Sequence, residues 1–488
     1  MTKSMIVNLL LTIMLVSFFA CNKDDINPKN TDFDPYTMGD YYVSPKGDDN
    51  NPGTYDKPFA TWQKGFETAE PGDTVYFRGG VWYPQTCYKY TSSVVYINPY
   101  DVPNVGNDAT AANPICMFAF PGETPILDCI NVSIPNKFLG GIGMDRANYW
   151  HIRGLTIRNV LESKLATVHG FITGGCSNLT VENLTVTNIG GKGIVNYNTF
   201  QNAIYPEQAS IPYDTTRYIN CDASYCMDSL GRSGAATDFG NYADGFWVQA
   251  SNPVSYVIFE GCRSWMNSDD GYDLPTVGVI FMHNCWAFNN GHLIAGGGSG
   301  IRNDPASNDL DKPWIIKNSI AASNKGSNYT VGYNHGIERP LEFYNNLSYD
   351  GEYGIVFYRQ DTTTYGRVDR DFRNNVSFNN GTFDLLCHLI PLIYTNNYWG
   401  TKRELLGQSM SIPDHSPAVT ATTSDFQSLD ISQLSAPRKA DGSLPDITFG
   451  RLATGSDLIG AGTDVGMSST PDIGIDWAYL DSKVIIYP

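Results

Sequence analysis

Six short stretches of the chain alternate apolar and polar side chains with a period of two. They are YWHIRGL (149–155), NLTVENL (178–184), SYVIFEG (255–261), VGVIFMH (277–283), PWIIKNS (313–319) and LEFYNNL (341–347). β-Branched and aromatic residues dominate them, the pattern of half-buried strands. Related turn units run through the same region: RGLTIRN (153–159), ENLTVTN (182–188), NCDASYC (220–226), GCRSWMN (261–267), NCWAFNN (284–290), NSIAASN (318–324), NNLSYDG (345–351) and NNVSFNN (374–380). Aligned on their second residues, Gly154, Asn183, Cys221, Cys262, Cys285, Ser319, Asn346 and Asn375, they recur after 29, 38, 41, 23, 34, 27 and 29 residues. Two places further on stands Thr, Ala or Ser.

A unit of this size, with short strands, Asn turns and variable loops, predicts one coil of a solenoid. A single coil cannot bury its own face, so coils stack and equivalent positions form ladders. Asn346 and Asn375 are expected in an Asn ladder. Cys221, Cys262 and Cys285 are expected to stack inside as small apolar fillers. Leucine-rich spacing and sustained helical periodicity are absent, and a propeller would have more uniform blades. The expected fold is all-β, a right-handed parallel β-helix (solenoid) whose loops carry function.

The ends break this pattern. Residues 1–20 read as a signal segment: Lys3 precedes the apolar run Met5 to Ala20, too short to span a bilayer. A small residue followed by Cys21 resembles a bacterial lipoprotein signal, and the following acidic CNKDD resembles surface-export signals of Bacteroides-type lipoproteins. Cys21 would then be the lipidated N-terminus of an outer-membrane, cell-surface protein of a Gram-negative bacterium, with 21–38 as tether. Residues 39–400 would form the β-helix, with a helix from Thr61 to Ala69 capping its open end. Residues 401–488 lose the ladder and are expected to pack along the solenoid as a long tail.

The formal charge is −18, from 32 Lys and Arg against 50 Asp and Glu. That speaks against nucleic-acid binding. The cysteines after Cys21 show no CxxC spacing, which argues against a zinc site.

Within this acidic chain, NSDDGYDLP (267–275) concentrates Asp269, Asp270 and Asp273. The preceding coil carries NYADGFWVQ (241–249), in which Asp244-Gly245 matches Asp270-Gly271. Adjacent coils lie about 4.8 Å apart, so four carboxylates converge. Like charges so close repel unless a cation intervenes, and Ca²⁺ best tolerates an irregular set of carboxylate ligands. On the next coil GIRND (300–304) places Gly300 opposite Gly271 and Arg302 opposite Asp273. The repeat alone leaves two readings level: a catalytic centre, or a structural calcium with Arg302 as a plain ion pair. Asp269 and Asp270 as a hydrolytic pair fit poorly, because neighbours on one coil cannot flank a glycosidic bond.

The N-terminal YYVSPKGDDNNPGTYDKPFATWQKGFETAEPGDTVYFRGG, the ADGF of 243–246, the NSDDGYDL of 267–274 and the late SAPRKADGSLPDITFGRLATGSDLIGAGTDVG together resemble polysaccharide lyase family 9. The likeness covers nearly all of the chain beyond the signal segment. It implies a parallel β-helix, Ca²⁺ held by Asp244, Asp269, Asp270 and Asp273, and β-elimination on pectic polysaccharide. The family's usual base is a Lys where this chain has Arg302; Lys312 and Lys317 are alternatives, with Lys325 behind them. Arg302 as base implies an alkaline optimum. Tyr272, Tyr333, His335, Tyr358 and Arg359 are candidates to line a sugar groove. The Arg-for-Lys exchange tilts the expected substrate from homogalacturonan toward rhamnogalacturonan I. A monomer is expected. Two other classes stay open: a hydrolase or epimerase on the same scaffold, and a non-catalytic, Ca²⁺-dependent glycan-binding solenoid.

Overall fold

The computed structural model describes residues 38–88, 93–98, 109–133, 138–162, 167–198, 215–231, 238–250, 255–276, 278–291, 293, 296–304, 312–332, 340–358, 370–388, 392–406, 419–469 and 471–482. The signal segment, Cys21 and nearly all of the tether lie outside them.

The chain winds through three parallel sheets of 12, 11 and 11 strands among the described residues. One coil shows the path: Tyr256–Glu260 in the first sheet, Arg263–Trp265 in the second, Tyr272–Leu274 in the third, then Val279–His283 in the first again. All pairings between named strands are parallel and join equivalent strands of successive coils, as in Tyr272↔Ile301 and Asp273↔Arg302. This is the expected parallel β-helix.

The corner between the first and second sheets needs a left-handed residue on each coil. Asn183, Asn220, Asn284, Asn318, Asn345 and Asn374 supply it, each with φ between 52° and 60°, a conformation Asn tolerates through local hydrogen bonding. The next residue points inward. Asn346 N–H donates to Asn375 Oδ1 at 2.9 Å, and Asn375 N–H to Asn397 Oδ1 at 3.0 Å. Cys221, Cys262 and Cys285 continue that stack, fully buried as free thiols.

The expected alignment fails at its first two units. Thr156 pairs with Thr185, and Thr185 with Asp222. Leu155 and Leu184, rather than Gly154 and Asn183, therefore stand level with Cys221. Gly154 and Asn183 are the left-handed corner residues equivalent to Asn220. Ile157 and Val186 fill the place that Ala223 occupies later, so a small residue there is not a feature of every coil.

The N-terminal helix packs into the core, and the C-terminal segment packs outside it. Helix Trp62–Thr68 is capped by Thr61, whose side chain accepts from Lys64 N–H. It buries Trp62 against Phe77 and stacks Phe66 on Trp150. From residue 419 the chain packs on the outer face of the second sheet, where Phe426, Leu434, Phe449, Ile473 and Trp477 cluster with Trp286, Phe288, Ile320, Leu347 and Phe378. Corner asparagines hold it: Asn318 donates to Asp476 O, Asn345 to Gly474 O and Asn374 to Thr463 O. Arg438 and Arg263 both grip buried Asp222, at 2.6 and 2.8 Å. No residue of the third sheet belongs to that cluster among the described residues.

The third sheet bends at a column of glycines: Gly141, Gly170, Gly193, Gly245, Gly271 and Gly300. A Cβ on Gly271 would lie 2.6 Å from Gly300 O, and one on Gly245 would lie 2.9 Å from Gly271 O. None of the six has a positive φ, so the requirement is space. We expect Gly271→Ala to cost roughly 1–3 kcal/mol by overpacking. Chemical denaturation should read that loss, and an unchanged midpoint would refute the steric role.

Candidate active site on the third sheet

The glycine column sets the site. The residue before each glycine faces outward, giving Lys192, Asp244, Asp270 and Ser299 on successive coils; Gly193 N–H donates to Asp244 O, Gly245 N–H to Asp270 O and Gly271 N–H to Ser299 O. Two residues beyond the glycine a second outward column runs Val195, Trp247, Asp273, Arg302 and Thr330. The carboxylates of Asp244, Asp270 and Asp273 come together, with one oxygen of each within 4.8 Å of the others. Asp269 stands beside them, its Oδ1 accepting from Gly297 N–H at 2.6 Å.

The glycine-rich residues 296–300 serve this loop. Ser299 N–H donates to Asp270 Oδ1 at 2.6 Å. A Cβ on Gly297 would lie 3.1 Å from Asp269 Oδ1, and one on Gly296 only 1.8 Å from Ser268 O. The glycines thus let backbone N–H groups reach the carboxylates.

Two cations brace the cluster. Arg302 lies 3.4 Å from Asp270 Oδ2, 3.8 Å from Asp273 Oδ1 and 3.7 Å from Asp304 Oδ2. Lys192 pairs with Asp244 Oδ2. Burial works to lower the pKa of each cation, but the surrounding carboxylates outweigh it and both are raised. His169, in register with Lys192, is pushed down to about 3 by burial and by that lysine.

The compensation is incomplete. Burial, then repulsion from Asp244, raises Asp270 to about 6 and Asp273 to about 8. Burial and its neighbours Asp270 and Asp244 also raise Asp269. Asp273 Oδ1 is buried without accepting a hydrogen bond. Converging acidic oxygens with an unfilled acceptor are the donor set of a hard divalent cation, so the residues fit calcium.

Lys192 and Asp304 were not among the residues expected here. The repeat carried a signal for Lys192, because GKGIV (191–195) matches ADGFW (243–247) about its glycine. Asp304 follows Arg302 by two in GIRND, and the matching place in GYDLP holds Pro275, so no like carboxylate marks it.

Other expected residues fall elsewhere. Tyr272 is a correction: it is 0% exposed and stacks on Phe246 at 4.7 Å inside the core, because it occupies the inward position of its strand. It cannot line a groove. Lys317 lies on the first sheet, paired with Glu342 at 3.3 Å. Lys312 is over the Tyr256 ring, and Lys325 donates to Leu293 O. Tyr358 is partly buried just beyond strand Tyr353–Phe357. Tyr333, His335 and Arg359 lie outside the described residues.

Residues 41–380 match the family described as the Pel9A-like, right-handed β-helix region. The chain belongs to this family and is a family 9-type polysaccharide lyase. It is 27% identical to pectate lyase L of Paenibacillus polymyxa (strain SC2) over 441 residues, covering 88% of this chain and 84% of that one. It is 25% identical to pectate lyase L of Dickeya chrysanthemi over 491 residues, covering 96% and 98%. Among solved structures, pectate lyase Pel9A superposes with a TM-score of 0.61 at 24% identity, covering 89% of this chain and 95% of that one. A rhamnogalacturonan lyase superposes at 0.52 and 22%, covering 85% and 96%.

The raised carboxyl pKa values fix a sign. Asp270 and Asp273 bind protons more tightly folded than unfolded. Their contribution is therefore greatest below the unfolded carboxyl pKa and is lost as pH rises through about 6 and about 8. Melts of chelator-treated protein should show stability falling from about pH 4, the unfolded carboxyl value, up to about pH 8, with a shallower slope in Asp273→Asn. Lys192→Met should destabilise the chelator-treated protein by roughly 3–5 kcal/mol, because Asp244 loses its buried partner. Denaturation curves with and without chelator check this, and a loss under about 1 kcal/mol would contradict it.

Proposed function

We propose that the protein is a calcium-dependent lyase that cleaves the pectic backbone by β-elimination at galacturonate, leaving a 4,5-unsaturated uronide. One observation carries the reading: Asp244, Asp270 and Asp273 converge on the outer face of the third sheet with Arg302 against them. Membership of a polysaccharide lyase family supports it. Asp244, Asp270 and Asp273 would hold the ion, with Asp269 as a further donor. Calcium bound there would supply positive charge for the substrate carboxylate, which acidifies C5 and stabilises the enolate-like charge that develops on deprotonation.

Arg302 takes the C5 proton in this reading. The C5–H electrons become the C4=C5 double bond, the C4–O4 bond breaks, and O4 leaves with a proton from solvent. Arg302 must be neutral to accept the proton, which is costly for a guanidine. The carboxylates that hold Arg302 protonated are those a divalent ion would neutralise. Of the lysines weighed for this role, Lys317 is engaged with Glu342 on another sheet. The backbone preferred is rhamnogalacturonan I over homogalacturonan. Cys21 would carry lipid and anchor the chain at the outer membrane; no helix among the described residues is long and apolar enough to cross one.

The test follows ultraviolet absorbance of unsaturated uronide on rhamnogalacturonan I and polygalacturonate, with calcium and with chelator. We expect a rise with calcium, faster on rhamnogalacturonan I, abolished by chelator and greater at alkaline pH. Arg302→Ala should lower kcat by at least 10²-fold while calcium still raises the melting temperature. Calcium-dependent pectin binding without any rise would sink the lyase reading in favour of a glycan-binding solenoid.

A further inference from the structure

Trp247 stands on the outer face of the acidic site, and the mechanism leaves it unused. It pairs in register with Asp273, one coil toward the N-terminus. Its strand neighbour Phe246 faces the core and stacks on Tyr272, whereas Trp247 is only partly buried. The Trp247 ring meets Tyr197 edge-on at 4.7 Å, and Lys192 Nζ lies 5.0 Å from its centroid. Gln249, two residues on and exposed, stands in register with Tyr197. Phe246, Phe259 and Tyr272 pack on one another in the core. Trp247 and Tyr197 sit outside, on the face the C-terminal tail does not cover.

We infer that Trp247 and Tyr197 form a subsite for a neutral sugar adjacent to the uronate at the aspartate cluster. The inference rests on the lyase reading for the position of that uronate. The spacing between coils, about 4.8 Å, is close to the length of one sugar residue. A chain crossing the third sheet at right angles to its strands would place one sugar at Asp273 and its neighbour at Trp247. An aromatic ring offers an apolar face to the C–H side of a sugar, and Gln249 offers a donor to its hydroxyls.

Charge selects the neutral sugar. A second uronate at Trp247 would set a carboxylate one coil from Asp273 and beside Asp244, and like charges there repel. Lys192 is already engaged with Asp244. Among the described residues a single acidic group meets the geometry for a metal ion, so a second divalent bridge is not provided. A backbone alternating uronate with a neutral sugar satisfies both positions.

The experiment measures KM and kcat on rhamnogalacturonan I and polygalacturonate for the full-length protein, Trp247→Ala and Trp247→Phe. We expect Trp247→Ala to raise KM on the alternating backbone about ten-fold, the equivalent of one aromatic contact. KM on polygalacturonate should change much less, and Trp247→Phe should keep most of the affinity. Calcium titration and melting temperature of Trp247→Ala should match wild type. Equal losses on both backbones would overturn the neutral-sugar subsite, as would an unchanged KM with a lowered melting temperature. If wild type yields no unsaturated uronide, the lyase reading fails while the subsite is still read by calorimetry with alternating oligosaccharides. Weaker binding by Trp247→Ala would then support it, and no binding by wild type would overturn it.

Discussion

Parallel stacking of coils is the constraint on which the rest of this molecule depends. At about 4.8 Å between neighbouring strands, every outward residue lies against its equivalents on the coils before and after. A column cannot hold like charges at that distance unless something offsets them. The third sheet meets this by varying sign along its columns: Lys192, Asp244, Asp270 and Ser299 in one, Asp273 and Arg302 in the other. Two cations at the flanks hold the cluster together, and its raised carboxyl pKa values mark the charge they leave unbalanced.

The three faces divide the work. The second sheet is outwardly apolar and is covered by the C-terminal segment. The corner asparagines do two jobs, taking the left-handed turn and offering side-chain amides to the carbonyls of that segment. The buried grip of Arg263 and Arg438 on Asp222 ties the segment to the two coils that carry the aspartates. The third sheet is thereby left as the face for chemistry. Its glycine column brings successive backbones close enough for Gly297 and Ser299 N–H groups to hold Asp269 and Asp270.

Where a ladder repeats the same chemistry, the sequence is legible. Asn346 and Asn375 share a side-chain type and a role, so their stack could be read from letters. The match of Asp244-Gly245 to Asp270-Gly271 was equally legible, because the glycine is fixed by space that no other residue fits. Reading failed where the same backbone role falls to different letters. Gly154 and Asn183 were aligned with Cys221 by resemblance of the turn, although their left-handed φ makes them equivalents of Asn220. Lys192 is not marked by likeness, because the cation that offsets the carboxylates differs from them in type. Tyr272 was misplaced because proximity in sequence to Asp273 says nothing of face; neighbours on a strand point to opposite sides.

Arg302 suits its place by the same electrostatics. Arg302 is approached by Asp270, Asp273 and Asp304 at 3.4 to 3.8 Å. A planar guanidinium meets several carboxylates at once, which a compact ammonium does less well. Asp270 and Asp273 are shared between Arg302 and the proposed ion, so ion occupancy and the proton affinity of Arg302 cannot vary independently. Charge added at the aspartates weakens the field that keeps the guanidinium protonated. A chain of net charge −18 can receive a polyanion on these terms, because screening confines distant charges to about a Debye length. What a ligand meets is the local columns, in which Lys192 and Arg302 flank the carboxylates.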